Sequence, residues 1–255
     1  MTINIDAPIH AAGPRVHRTA ASTPVEQALA LGETVVLWDG DRARLGYAAQ
    51  SASTAQTAFA IRYSSGFLQL ALPSPVCDRL LIPVTPSLPS RPSIEGYRQC
   101  IGIDAAQGVT TGISAADRAR TARVLADART VSEDLVRPGH LVVTAVDPGY
   151  SGERAVPRLA LQLAATGQGG LVFADLVSEQ HPAAMADEQE ATSFALAQRL
   201  PLYAGATSTG VPSDVPRWTR PTVFASTAGS TRPNGGHRTL TPSSRSLQKG
   251  RNSHV

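Results

Sequence analysis

The run Gly108-Val109-Thr110-Thr111-Gly112-Ile113-Ser114-Ala115-Ala116-Asp117-Arg118 decides how this chain is read. Two glycines bracket a pair of hydroxyl residues, and Ser114-Ala115-Ala116-Asp117 has the spacing of a capping box, so a helix starts there. Backbone N–H groups at a helix start, beside Thr110, Thr111 and Ser114, make a geometry that can receive an anion. The plainer reading is that Ser114 and Asp117 only cap the helix, and spacing alone leaves both open.

Working outward, helices alternate with strands. Upstream, residues 100–104 predict a short strand, and the proline-rich stretch 73–92 predicts mostly loop. Before it, Gly66 to Leu72 alternates like a strand, and Thr54 can cap a helix reaching about Ser64. The sequence 39–46 reads as a charged loop after a buried β-branched strand, 34–38. Thr23-Pro24-Val25-Glu26 is another capping box, with proline at the first helical position. Downstream, 141–146 and 171–174 read as strands, and 157–165 and 187–200 as helices. The class is α/β (α+β), a mixed sheet flanked by helices.

Three segments follow: an arm over 1–21, an α/β domain over 22–206 and a tail over 207–255. The formal net charge of +3 conceals an uneven division. The tail carries seven basic residues against Asp214, whereas the rest has 16 basic and 19 acidic residues. That tail is rich in Ser, Thr, Gly and Pro and too polar to bury much area, so disorder or a surface-hugging course is expected, with Trp218 and Phe224 as its strongest anchors. It lacks the aromatic interleaving of single-strand binders, so no nucleic-acid partner is expected. No apolar run approaches a membrane span, and the N-terminal residues lack a secretory pattern, so a cytoplasmic protein without membrane contact is expected. Cys77 and Cys100 are far apart in sequence and read as free thiols.

With Asp41-Arg42 after the strand ending at Trp38, and Arg137-Pro138-Gly139-His140, the run from Gly108 resembles the 3,4-dihydroxy-2-butanone 4-phosphate synthase family. Arg62-Tyr63-Ser64-Ser65-Gly66 and Leu176-Val177-Ser178-Glu179 extend the likeness to roughly Val25 through Tyr203. The resemblance implies a homodimer with sites at the subunit interface, acting on ribulose 5-phosphate and releasing formate. It also implies a magnesium ion held by a glutamate of an acidic loop and a histidine at a later helix start.

Here the chain departs from the family. The family loop reads Asp-Arg-Glu-Asn-Glu-Gly-Asp, but this chain reads Asp41-Arg42-Ala43-Arg44-Leu45-Gly46-Tyr47. The metal glutamate falls on Ala43, and two further carboxylates fall on Leu45 and Tyr47. The family's His-Thr-Glu-Ala aligns with Arg154-Ala155-Val156-Pro157, placing Arg154 at the metal histidine and Val156 at a glutamate. A family cysteine appears as Gln69, and a family glutamate as Asp175. No metal or other cofactor is therefore expected.

Ala43, Leu45, Tyr47 and Val156 are expected to line a roomier apolar pocket, completed as ligand-binding residues by Arg44, Gln69, Thr110, Thr111, Ser114, Arg154 and Asp175. Tyr47, His140 and Arg42 are the candidate catalytic residues. The first expectation is a repurposed, metal-independent lyase, isomerase or ring-forming cyclase acting on a hydrophobic or mixed metabolite in specialised metabolism. The alternatives are a non-catalytic dimeric ligand-binding or scaffold protein, and a residual riboflavin-pathway synthase. The state of the cavity beside Ala43, Tyr47 and Arg154 separates them: open and apolar, filled by side chains, or holding a metal ion.

Overall fold

The computed structural model describes residues 23–86 and 96–204; the expected arm and tail, with Trp218 and Phe224, lie outside them. Seven strands form one mixed sheet in the order β4-β5-β3-β6-β2-β1-β7. They are β1 (Val35–Trp38), β2 (Ala43–Ala48), β3 (Gln69–Pro73), β4 (Tyr97–Ala105), β5 (Leu135–Val146), β6 (Leu171–Asp175) and β7 (Leu202–Ala204). The helices are α1 (Pro24–Ala30), α2 (Thr54–Tyr63), α3 (Ser74–Arg79), α4 (Ala115–Ala126), α5 (Ala155–Ala165) and α6 (Glu188–Gln198).

Two apolar layers sandwich the sheet. Residues of α2, α3, α4 and α6, including Ala60, Cys77, Leu125 and Ala195, pack on one face with Leu45, Leu70 and Val143. On the other face α1 and α5 supply Val25, Leu29, Val156, Leu159 and Leu163, packed on Leu37 and Phe173. A helix must bury one stripe and a strand one face, so each helix covers an alternate set of strand residues.

Helix starts follow their local chemistry. Thr23 and Glu26 form the expected reciprocal box before α1. Ser53, one residue before the expected Thr54, caps α2 with Gln56. Asp187 and Glu190 do the same for α6.

Three boundaries differ from the sequence reading for identifiable reasons. The supposed charged loop at 43–46 belongs to β2, every residue of which is buried, because its one charge finds carboxylate partners. β5 begins at Leu135 and carries Arg137-Pro138-Gly139-His140 as strand, although proline and glycine argue against strand interiors. The Arg137–Pro138 bond is cis. The β4–β5 register shifts between Ile103 and Asp104, where Gly139 sits so close to Ile103 that a Cβ would lie 2.2 Å from its backbone. The proline-rich stretch also holds the short α3, which carries Cys77 against Cys100 of β4.

Candidate functional site

The pairing register brings Arg44, Gln69, His140 and Asp175 toward one end of the sheet. Gln69 pairs with Val142 on one side and Phe173 on the other. His140 precedes Val142 by two residues and Asp175 follows Phe173 by two, so both stand at the same level on either side of β3, roughly 10 Å apart by strand spacing. Asp175 in turn pairs with Arg44 of β2.

Arg44 is fully buried. Its Nε donates to Asp175 Oδ1 at 2.9 Å and its Nη1 to Asp39 Oδ2 at 2.6 Å. The other oxygen of Asp39 accepts the N–H of Ala155 at 2.6 Å, so one carboxylate neutralises Arg44 and caps the start of α5. Arg154, which immediately precedes α5, donates to Asp41 at 2.6 Å, and Arg42 lies 3.8 Å from Asp175. Burial pushes the Asp41 carboxyl up, but the hydrogen bond and charge of Arg154, with Arg44 and Arg42, outweigh it and hold the group below its ordinary value. Three guanidiniums thus face three carboxylates.

A magnesium ion does not fit this arrangement. Ala43 offers no donor atom, Arg154 places a cation where the aligned histidine would be, and Asp39, Asp41 and Asp175 already bind guanidiniums. Among the described residues no cluster of three or more His, Cys, Asp or Glu side chains could hold a metal.

The residues expected to line an apolar pocket are buried in two different layers of the core. Ala43, Leu45 and Tyr47 alternate along β2 onto the face covered by α2 and α6, whereas Val156 belongs to the layer on the opposite face. All four are at most 1% exposed, so they are packed core. Tyr47, expected as a catalytic residue, is packed the same way: its hydroxyl pairs with Thr57 Oγ1 at 3.0 Å, and burial pushes its pKa up to about 12. Arg44 likewise has no surface for a ligand.

The other expected residues form a second, more open group. Ser114 caps α4 by accepting the Asp117 N–H at 3.1 Å. Asp117 does not complete the box. Its carboxylate accepts the N–H and hydroxyl of Thr110 and the N–H of Gly112, at 3.0, 2.8 and 3.1 Å. The loop's expected capacity for an external anion is therefore partly filled from within. These contacts, the Thr110 N–H first, hold Asp117 below the usual carboxylate range. Thr110, Thr111 and Ser114 remain exposed.

Beneath this loop lies a pair that the sequence reading half identified. Asp104 Oδ1 accepts the backbone N–H of His140 at 3.0 Å, and Oδ2 is 2.7 Å from His140 Nδ1. Asp104 is buried, while the imidazole is 44% exposed. Gly112, at φ +81°, crosses so close that a Cβ would stand 2.0 Å from Asp104 Oδ2 and 2.7 Å from His140 Nδ1. Gln69 is buried at the same end of the sheet.

Sequence reasoning missed Asp39, Asp104 and Asp117 as organising groups. Asp117 had a signal, since its capping position was noted. Asp104 had only its place at the end of an apolar strand.

Comparison with known proteins places this geometry. A family profile for 3,4-dihydroxy-2-butanone 4-phosphate synthase matches residues 24–207. The riboflavin biosynthesis protein RibBA of Nocardia farcinica is 39% identical over 176 residues, covering 66% of this chain and 42% of the relative. Its counterpart in Mycobacterium avium is 36% identical over 174 residues, covering 66% of this chain and 40% of the relative. The chain thus spans about two fifths of the length of these curated relatives. Among solved structures, the 3,4-dihydroxy-2-butanone 4-phosphate synthase of Candida albicans superposes with a TM-score of 0.61 at 28% identity, covering 70% of this chain and 90% of the other. A synthase in complex with two magnesium ions gives a TM-score of 0.60 at 27% identity, covering 70% of this chain and 89% of that one. The profile match, the order of the motifs and the shared mixed sheet agree: this chain belongs to the 3,4-dihydroxy-2-butanone 4-phosphate synthase family.

Proposed function

We propose that this chain is a metal-free member of the family that binds a small metabolite without performing the magnesium-dependent lyase reaction. The observation that carries this is the replacement of the metal ligands by Ala43 and by Arg154 paired with Asp41. The hydrophobic-substrate lyase, isomerase or cyclase expected from sequence loses its main support, because the residues meant to line its pocket are core. Binding is supported at the polar group around Thr111, Ser114 and His140, which is exposed and lies at the same end of the sheet as Arg42 and Asp175. A homodimer is part of this reading. Exposed Val136 pairs in register with Asp104 and exposed Ile113 follows Gly112, which packs on the Asp104–His140 pair, so apolar surface lies beside the site as an interface there requires.

A second reading, the riboflavin-pathway synthase itself, is favoured by family membership, by the retained Arg42 and His140, and by the carboxylate that Asp175 keeps at a family glutamate position. One assay separates the two: formate release from ribulose 5-phosphate by the full chain, with and without magnesium, beside the Ala43→Glu/Arg154→His double variant. No formate from the unmodified chain under either condition is expected. Magnesium-dependent formate from it would overturn the first reading and establish the second.

A further inference from the structure

We propose that the cavity between the end of α2 and the flank of α6 binds a free nucleoside by its base. The cavity has a volume of about 450 Å³, a size suited to a small ligand. Its floor, formed by Tyr63, Leu176, Ala186 and Phe194, belongs to the core layer on the α2 and α6 side of the sheet. It lies apart from the Thr111–His140 group, and its occupation does not depend on how that group is read.

One wall is fixed before any ligand arrives. Glu190 Oε1 accepts the Ser178 hydroxyl at 2.8 Å and the N–H groups of Glu179 and Gln180 at 3.1 and 3.4 Å, and Oε2 accepts the Asp187 N–H at 3.2 Å. With the Ala186 N–H donating to the Leu176 carbonyl at 3.0 Å, these bonds hold the segment 176–187 against α6. The Glu190 carboxylate is thus spent on the wall.

What remains for a ligand is ring faces and neutral polar groups. The Tyr63 and Phe194 centroids are 5.9 Å apart, and the Arg62 guanidinium lies 5.5 Å from the Tyr63 centroid. Aromatic rings and guanidinium planes are the surfaces on which bases stack. Along α6, Gln189, Ser193 and Gln198 line the same cavity with side chains that make no hydrogen bond among the described residues. A glutamine amide carries a donor and an acceptor side by side, the complement of the adjacent acceptor and donor on a base edge. A plain hydrocarbon would leave those amides unmatched. Of the other lining charges, Arg62 and Glu179 are opposite in sign, so the cavity favours a neutral nucleoside over a phosphate-bearing chain.

The test is calorimetric titration of the full chain with adenosine and guanosine, beside naphthol and adenosine monophosphate. At least one nucleoside should bind with a submillimolar dissociation constant, and more tightly than naphthol, which is flat but has no such edge. Gln189→Leu, at an exposed position of α6, should weaken that binding several-fold with the melting temperature unchanged, and Phe194→Ala should abolish it. Arg62→Met, also at an exposed position, should weaken it as well and keeps the test intact should Phe194→Ala fail to fold. No binding of either nucleoside, equal or tighter binding of naphthol, or indifference to both Gln189→Leu and Arg62→Met would overturn the proposal. So would adenosine monophosphate binding more tightly than adenosine, since the phosphate would then be the recognised group. None of these readouts involves formate, so the outcome is independent of the lyase assay.

Discussion

At the turn between β1 and β2, Arg42, Arg44 and Arg154 meet Asp39, Asp41 and Asp175; beside β4 and β5, by contrast, Asp104 holds one imidazole that stays partly exposed. The first region satisfies its charges internally and presents packed carbon where the family carries carboxylates. The second keeps exposed hydroxyls and a titratable ring above a buried acid. Both lie at one end of one sheet, so loss of the metal ligands did not require loss of the fold. In the first region the guanidiniums balance the neighbouring carboxylates locally.

The sharpest way to break this contrast is Arg44→Ala. It takes the guanidinium from buried Asp39 and from Asp175, and removal of one partner from a buried ion pair costs about 3–5 kcal/mol. Urea unfolding should show that loss; a change within error would mean that Arg44 is not the ion that holds this region together.

Next in size is Leu45→Glu, which returns a family carboxylate to a position with no exposed surface. Burying a carboxylate there should destabilise the fold by roughly 2 kcal/mol or more, read from the same unfolding curves. A stable Leu45→Glu protein that gained magnesium affinity would show that the packed region can reopen.

Acid acts on both regions. Asp41 and Asp117 have folded-state values below the ordinary 3.8, so each stabilises the fold above that value, and the contribution disappears as pH falls through the lowered values. Stability measured between about pH 5 and pH 2 should therefore decline, and Asp117→Asn should flatten part of that decline. An unchanged slope would mean that the loop contacts of Asp117 do not persist in solution.

The smallest effect belongs to Arg154 and Asp41, whose side chains are 24% and 45% exposed. A double-mutant cycle with alanine should give a coupling of about 0.2–1 kcal/mol, diminished by salt. A coupling near that of a buried pair would mean that this rim is closed from solvent, for example by a second subunit.

Much of the fold was legible because its signals are local. Thr23 with Glu26 and Asp187 with Glu190 announce helix starts within four residues, and the β-branched run at 34–38 announces a strand. The site was less legible because its partners are remote. Arg44 reads as a loop residue until Asp175, 131 positions away, is brought beside it. His140 is 36 positions from Asp104, and no period links them. The assumption that replaced residues still face a common pocket failed for a different reason. Ala43, Leu45 and Tyr47 alternate onto one face of the sheet, while Val156 starts a helix on the other. Cys77 and Cys100 read as unrelated until the segment after α3 folds back on β4, where Val84 bridges Cys100.

Asp39 makes the departure from the ancestral arrangement hard to retrace one step at a time. One of its oxygens holds the Arg44 guanidinium and the other holds the first N–H of α5. Replacing Arg44 first leaves the Asp39 carboxylate without its guanidinium beneath the helix; replacing Asp39 first both uncaps the helix and removes one of the carboxylates that hold Arg44. Restoring histidine at position 154 changes neither contact. Each single reversion that touches the network passes through a less stable protein, so the chain behaves as a ratchet, and an engineer seeking the old metal chemistry would have to change several positions together.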